Sequence, residues 1–136
     1  MKSFDVIVIG AGPGGYVAAV RLAQLGKNVA IVEKQKTLGG TCLNWGCIPS
    51  KALLDSSEHY HQAQHGFKVH GIDVKGLSLN FKQMMTRKQA VVDQTTQGID
   101  FLMSKNKIAV FKGHATFNSD NEITITNGKQ AETVKA

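Results

Sequence analysis

The sequence predicts an α/β fold with parallel strands, on three observations in its first 33 residues. An apolar run, Phe4–Ile9, is followed at once by glycines, which is typical of a buried parallel strand. The next segment, "GPGGYVAAVRLAQLG", has small and apolar residues at helical spacing, and its last glycine is a suitable C-cap. A second apolar run, in "NVAIVEK", predicts another buried strand that ends at Glu33. Together these segments predict a strand–helix–strand unit of about 30 residues.

The remaining chain predicts two helices and a small antiparallel element. A helical pattern runs from Ile48 to about Gln64, a loop covers Gly66–Leu79, and a long helix covers Phe81–Lys105. The segments "KIAVFKGHATF" and "NEITITNG" predict two or three antiparallel strands, and the polar segment "GKQAETVKA" ends the chain. Because only two parallel strands are predicted, the doubly wound sheet is expected to be incomplete.

Length, charge and hydropathy exclude several classes of protein. A chain of 136 residues forms one domain at most, and no apolar run approaches the ~20 residues of a membrane span. The net charge of +6 comes from scattered lysines and arginines, so neither nucleic acid nor membrane is expected as a partner. The histidines of "HYHQAQHGFKVH" match no zinc spacing, so no metal is expected. With Met1 as the true start, we expect a cytoplasmic protein, as in bacteria; a removed transit peptide would indicate the mitochondrial matrix.

The glycine-rich segment after the first strand predicts a dinucleotide site. Its order, Gly10-Ala-Gly12-Pro-Gly14-Gly15, fits G-x-G-x-x-G, and Glu33 ends the second strand 18 residues later. Gly10 allows a tight turn, Gly12 allows backbone to approach a pyrophosphate, and Gly15 allows close packing of helix on strand. The helix N-terminus offers N–H groups to phosphates, and an acid at position 33 can accept hydrogen bonds from ribose hydroxyls.

Both cysteines lie in "GGTCLNWGCIPSK", at positions 42 and 47. Five residues of regular helix rise about 7.5 Å, whereas a disulfide needs Cα atoms less than about 7 Å apart. A bridge would therefore require a distorted segment, for which Gly46 is the suitable residue. A bridge closing so small a loop would stabilise little, which favours a reducible redox pair. Two reduced packing thiols and two ligands of a metal site remain as alternatives. Cys47 is expected near a helix N-terminus, which favours a thiolate, and Lys51 adds positive charge.

Two segments carry a family resemblance. "GGTCLNWGCIPSKALL" and "VIVIGAGPGGYVAAVRLAQLG" resemble the N-terminal part of the class I pyridine nucleotide–disulfide oxidoreductases, and among them the dihydrolipoamide dehydrogenases. The resemblance covers essentially the whole chain, including "KGHATF". It implies an incomplete Rossmann-like FAD-binding domain with a small antiparallel strand element. The glutathione and mercuric reductases share much of the signature and stay as neighbouring interpretations.

The resemblance also implies roles for individual residues. Cys47 would be the thiol beside the flavin, and Cys42 would be the interchange thiol that attacks the lipoyl group. Lys51 would lie near the flavin edge, and His114 and Ala115 would contact the adenine end. The complete set implied to bind the cofactor is Gly10, Gly12, Gly14, Gly15, Glu33, Lys34, Gly39, Gly40, Thr41, Cys42, Lys51, His114 and Ala115.

For the whole protein, the resemblance implies oxidation of protein-bound dihydrolipoamide, with electrons passing through the Cys42–Cys47 disulfide and FAD to NAD. The expected partners are the lipoyl domains and core of 2-oxo acid dehydrogenase complexes, and a second copy in a homodimer. The NAD-binding domain, the interface domain and its His–Glu base would lie outside residues 1–136, so this segment alone is expected to be inactive. A non-catalytic nucleotide-binding fragment remains the alternative from a different class.

Overall fold

The computed structural model describes all 136 residues as two small sheets and four α-helices. The strands are β1 (Lys2–Ser3), β2 (Val6–Ile9), β3 (Val29–Glu33), β4 (Ala109–Lys112), β5 (His114–Ser119), β6 (Glu122–Asn127) and β7 (Gln130–Lys135). The helices are α1 (Pro13–Gln24), α2 (Gly40–Asn44), α3 (Cys47–His61) and α4 (Phe81–Lys105). A π-helical turn (Gln62–Gly66) and a 3-10 turn (Phe67–His70) follow α3.

The first sheet is parallel and has the order β2-β3-β4. The strand β3 is buried along its whole length, which explains its continuous apolar sequence. The prediction that "KIAVFKGHATF" forms only antiparallel strands was wrong, because β4 pairs with β3 in parallel, with Ala30 opposite Ala109. Strand partners are set by long-range packing rather than by the local pattern, so the sequence did not distinguish the two arrangements. The α/β fold class is confirmed, with three parallel strands instead of two.

The second sheet has the order β1-β7-β6-β5 and is antiparallel except for the pairing of β1 with β7. The polar segment at the end of the chain forms β7, which lies between β1 and β6. Its Val134 is fully buried against Ile123 and Ile125 of β6, and these three side chains form the small core of this sheet together with Val32. Val134 is therefore the one buried residue of a strand that is otherwise mostly exposed and that pairs with β6 along its whole length.

The larger core lies between the parallel sheet and the helices. Its buried members are Ala11, Ala19, Val29, Ile31, Leu38, Leu43, Ile99, Met103 and Ile108. They come from α1, α2, α4 and β3 and the segments beside them, so this core fixes the glycine-rich turn and the cysteine segment relative to the sheet. None of the helices is both long and apolar enough to span a membrane.

The helix predictions were confirmed in type and nearly in length. The helix α4 has the predicted bounds, and the Asn80 side chain caps it by accepting a hydrogen bond from the Gln83 N–H at 3.0 Å. The helix α3 begins one residue earlier than predicted, at Cys47, and ends three residues earlier, at His61, where the π-helical turn continues it. The predicted C-cap at Gly26 has φ +83°, a conformation that favours glycine. The two long helices, α3 and α4, pack against each other. The Arg87 guanidinium of α4 joins them by donating to the carboxylate of Asp55 at 2.6 Å and to the Ala52 carbonyl at 2.9 Å.

Candidate functional site

The glycine-rich turn has the geometry that the sequence predicted. Gly10 has φ +96°, so the tight turn out of β2 requires a glycine. A Cβ on Gly15 would collide with the Gly10 carbonyl oxygen, which shows how closely α1 approaches the turn. In contrast, a Cβ on Gly12 or Gly14 would meet nothing within 4 Å. The N–H groups of Gly12, Gly14 and Gly15 donate to no protein acceptor, so the start of α1 presents free donors.

The carboxylate of Glu33 joins the ends of β2 and β3. Only 6% of the residue is exposed. One oxygen accepts a hydrogen bond from the Ala11 N–H at 2.8 Å, and the other accepts from the Gln35 N–H at 2.8 Å. A carboxylate offers about four lone-pair sites, so each oxygen can accept a further hydrogen bond. Glu33 is therefore held in place by the backbone and still free to accept from hydroxyl groups.

A cleft of about 240 Å³ lies beside this carboxylate and brings five of the predicted residues together. It is lined by Ile9, Gly10, Val32, Glu33, Lys34, Gly113, His114 and Ala115. Since Gly113 follows β4, the parallel pairing of β4 with β3 is what places His114 and Ala115 next to Glu33. That pairing was not predicted from the sequence, although the family resemblance implied both residues at the adenine end of the site.

The helix is interrupted between the two cysteines, as a close pair of thiols requires. The helix α2 ends at Asn44, the backbone turns at Trp45 and Gly46, and α3 begins at Cys47. Gly46 has φ −112° and ψ −107°, and its N–H donates to the Thr41 carbonyl at 2.7 Å. Both cysteines are free thiols in this structure; Cys42 is half-buried and Cys47 is exposed. The predicted distortion at Gly46 is therefore confirmed, and the predicted disulfide stays a prediction.

The two thiols interact, and the interaction changes the acidity of the first. A hydrogen bond with the side chain of Cys47 is the largest cause that raises the pKa of the Cys42 thiol above its usual value. Burial of Cys42 and the charge of Cys47 raise the pKa further, while the Cys47 backbone N–H and the Lys51 ammonium lower it. Cys42 therefore keeps its proton to a higher pH than an ordinary thiol does.

The glycine-rich turn and the cysteine segment touch each other directly. The Gly39 N–H donates to the Ala11 carbonyl at 2.8 Å, and the N–H of the same Ala11 donates to Glu33. A Cβ on Gly40 would lie 2.7 Å from the Gly12 Cα, so the two segments are in van der Waals contact at these glycines. The candidate nucleotide site and the dithiol are thus adjacent parts of one region.

Some residues of the candidate site were missed, and some predicted residues lie outside the cleft. Ala11 and Asn44 were not predicted as site residues from the sequence. Ala11 carries no chemical signal of its own. Asn44 lies four residues after Gly40, and this spacing is the one signal that could have indicated its hydrogen bond to the Gly40 carbonyl. Lys51 is exposed on α3, one turn after Cys47, and Thr41 is exposed on α2. A larger cleft of about 490 Å³, between β4 and the β6–β7 hairpin, contains none of the predicted residues.

The residues present fit a dinucleotide cofactor. Free N–H groups at the start of the twelve-residue α1, with no acidic residue in its first turn, match the charge of a pyrophosphate. The open space at the Cβ positions of Gly12 and Gly14 leaves the backbone accessible to that group. The spare lone pairs of Glu33 match the hydroxyls of a ribose.

Comparisons with known proteins agree with this chemistry. Residues 4–136 match the family described as pyridine nucleotide-disulphide oxidoreductase. The chain is 50% identical over 135 residues to the mitochondrial dihydrolipoyl dehydrogenase of Schizosaccharomyces pombe, covering 98% of this chain and 26% of that protein. It is 51% identical over 130 residues to the dihydrolipoyl dehydrogenase of Manduca sexta, covering 96% and 26%. It is also 50% identical over 130 residues to the leghemoglobin reductase of Glycine max, covering 96% and 25%.

The matched region is nearly the whole of this chain but a limited part of each relative. The chain spans about a quarter of the length of these curated relatives. The match includes the glycine-rich turn, Glu33 and both cysteines, which are the features that the structure brings together. The chain therefore belongs to the pyridine nucleotide-disulphide oxidoreductase family.

Proposed function

We propose that residues 1–136 are the N-terminal part of the FAD-binding domain of a dihydrolipoyl dehydrogenase. The whole protein would oxidise protein-bound dihydrolipoamide and transfer the electrons to NAD. The observation that carries this proposal is the direct contact between the glycine-rich turn and the dithiol segment, through Gly12 and Gly40. A dithiol beside a dinucleotide site is suited to exchanging an electron pair with a flavin, and relatives named dihydrolipoyl dehydrogenase support the choice of reaction.

The residues that would hold FAD fall into two groups. Gly12, Gly14 and Gly15 would bind the pyrophosphate through their free N–H groups, and Gly10, whose own N–H donates to the Val32 carbonyl, would form the turn beside it. Glu33 with Lys34, His114 and Ala115 would bind the adenosine. The segment Gly39–Cys42 and the side chain of Lys51 would lie toward the flavin. When bound, FAD would supply a two-electron acceptor for the dithiol.

The thiols would perform the substrate half of the reaction. With the pair oxidised, one thiolate of dihydrolipoamide would attack the sulfur of Cys42, which breaks the Cys42–Cys47 bond and leaves a mixed disulfide. The second substrate thiolate would attack the same mixed disulfide, which closes the lipoyl disulfide and releases Cys42. Two electrons and two protons then leave the substrate. Cys42 would take one proton, because its raised pKa favours the thiol form, and a base outside these residues would take the other.

The other parts of the protein would lie beyond the 136 residues. We propose that an NAD-binding domain and a dimer-interface domain complete the molecule, that it forms a homodimer, and that its partners are the lipoyl domains and core of 2-oxo acid dehydrogenase complexes. The protein would work in the bacterial cytoplasm or, like relatives named mitochondrial, in the mitochondrial matrix.

The test is anaerobic turnover by the complete protein with dihydrolipoamide and NAD. We expect NADH formation and bound FAD in the wild type, and loss of turnover with retained FAD in Cys47→Ser. Ser57→Ala, on the exposed side of α3, is the control and should behave as the wild type. Full turnover by Cys47→Ser, or absence of FAD, would overturn the proposal. Strong NADPH-dependent reduction of glutathione disulfide would replace it with a sister reductase.

A further inference from the structure

The side chain of Asn44 forms three hydrogen bonds with the segment Thr37–Gly40, which lies just before Cys42. Its Oδ1 accepts from the Thr37 hydroxyl at 2.7 Å. Its Nδ2 donates to the Leu38 carbonyl at 3.1 Å and to the Gly40 carbonyl at 2.9 Å. Asn44 is half-buried, Leu38 is fully buried, and Cys42 lies two residues from Asn44 on the same short helix.

We propose that Asn44 is a positioning residue for the dithiol, which holds the segment Thr37–Gly40 against α2 and thereby fixes Cys42 relative to Cys47 and to the glycine-rich turn. The proposal rests on the proposed function for the importance of the thiols. It assigns a role to a residue that neither carries redox chemistry nor lines the nucleotide cleft.

The short helix α2 needs such a hold. It has five residues, no side chain caps its N-terminus, and its N-cap Gly39 has φ +104°. A helix of this length is unstable in isolation, so tertiary hydrogen bonds and packing must define it. The Asn44 amide adds two local side-chain hydrogen bonds, to the carbonyl of Leu38 before the helix and to that of Gly40 at its first residue.

The same hold reaches the glycine-rich turn. The Asn44 amide binds the carbonyls of Leu38 and Gly40, which are the residues on either side of Gly39. Gly39 donates to the Ala11 carbonyl, and Gly40 is in contact with Gly12. A shift of the Thr37–Gly40 segment would therefore change the position of Cys42 and the contact with the turn together.

An asparagine is required by the pattern of donors and acceptors. The site needs one acceptor, for the Thr37 hydroxyl, and two N–H donors, for two carbonyls, and a primary amide supplies this set. An ionised aspartate would keep the acceptor but place its second oxygen against both carbonyls. An alanine would leave all three partners without the side chain.

The experiment measures the dithiol–disulfide equilibrium of the complete protein in glutathione buffers, by alkylation and peptide mass spectrometry of the segment that holds Cys42 and Cys47. The variants are Asn44→Ala, Asn44→Asp, Thr37→Val and the conservative Thr37→Ser. The matched control is Asn106→Ala, because Asn106 is also half-buried and also donates from Nδ2 to the carbonyl four residues earlier, Leu102, at 2.8 Å. The free energy of unfolding is measured for every variant.

We expect Asn44→Ala to shift the equilibrium toward the dithiol, because a Cys42 that is no longer fixed close to Cys47 closes the disulfide less favourably. The expected shift is on the order of tenfold, which corresponds to about one net hydrogen bond. Asn44→Asp should shift it at least as far, Thr37→Val should shift it less, and Thr37→Ser should match the wild type. Asn106→Ala should lower stability and leave the equilibrium unchanged. If the Asn44 variants do not fold, the difference between Thr37→Val and Thr37→Ser decides.

The proposal is overturned if the position-44 variants lose stability as Asn106→Ala does but keep the wild-type equilibrium, or if Thr37→Val and Thr37→Ser are equal. Because sulfur oxidation is read directly from peptides, the result does not depend on NAD turnover. A protein that binds no FAD would overturn the proposed function and leave this test standing.

Discussion

The two glycine-rich segments of this chain use the same residue type in different ways. The first, Gly10–Gly15, is shaped by backbone contacts and leaves the N–H groups of Gly12, Gly14 and Gly15 free. The second, Gly39–Gly46, is held by the side chain of Asn44 and presents two thiols. The first is therefore a backbone site suited to binding an anion, and the second is a side-chain site suited to chemistry. They meet where Gly40 contacts Gly12 and where the Gly39 N–H donates to the Ala11 carbonyl.

The largest effect is expected in the first segment, from Gly15→Ala. The new methyl group would collide with the Gly10 carbonyl oxygen, so α1 would have to move away from the turn. We expect a loss of about 3 kcal/mol or more in the free energy of unfolding, at the upper end for overpacking. Urea denaturation checks this. Gly14→Ala is the control, because its methyl group meets nothing within 4 Å; equal losses in the two variants would refute the account of the turn.

A smaller effect is expected where the two segments meet, from Gly40→Ala. Its φ of +60° strains any side chain, and the methyl group would also lie 2.7 Å from the Gly12 Cα. Gly128 has the same φ of +60° with nothing near its Cβ position, so Gly128→Ala measures the strain alone. We expect Gly40→Ala to cost about 1–3 kcal/mol more than Gly128→Ala in thermal or urea unfolding. No difference would mean that the contact between the segments is loose.

The third prediction concerns pH and the second segment only. Because the pKa of Cys42 is raised, first by its hydrogen bond with Cys47, its alkylation rate should reach a plateau at a higher pH than that of an ordinary thiol. Cys47→Ala should move the midpoint down, and Lys51→Gln should move it up, since the ammonium lowers the pKa. The raised pKa also contributes to the stability of the folded state. This contribution is complete below the ordinary thiol pKa and is lost as the pH rises through the pKa of Cys42 in the folded state. Rates from site-resolved mass spectrometry decide, and a midpoint unchanged in both variants would contradict the assignment.

The smallest effect is expected away from both segments, from Arg87→Met. The guanidinium joins α4 to the middle of α3 through Asp55, Ser56 and Ala52, but it is partly exposed. We expect a loss of about 1 kcal/mol in the free energy of unfolding and an unchanged dithiol equilibrium. A shift of that equilibrium as large as the one expected for Asn44→Ala would show that the position of α3 as a whole, rather than the hold on α2, sets the thiol geometry.

Local features of the fold could be predicted from the sequence. The turn at Gly10, the end of β3 at Glu33 and the bounds of α4 each depend on a few neighbouring residues, and each was confirmed. The break at Gly46 followed from the reach of a disulfide compared with the rise of a helix. The family resemblance was confirmed as well.

Features that depend on distant partners could not be predicted in the same way. The parallel pairing of β4 with β3 joins residues about 80 positions apart, and the apolar alternation of β4 fits either direction. The strand β7 is polar except near Val134, and its place between β1 and β6 comes from packing. The Ala11 N–H donates to the Glu33 carboxylate, and the Asn44 amide donates to the Leu38 carbonyl. A residue pattern does not specify such particular partners.

The central claim is that the nucleotide site and the dithiol form one redox site. The most direct measurement is the absorption spectrum of FAD bound to the complete protein, recorded with the Cys42–Cys47 pair oxidised and after its selective reduction by a phosphine. We predict a change in the flavin spectrum in the wild type and no change in the Cys42→Ser/Cys47→Ser double variant. A flavin spectrum that does not respond to the state of the pair in the wild type would contradict the claim.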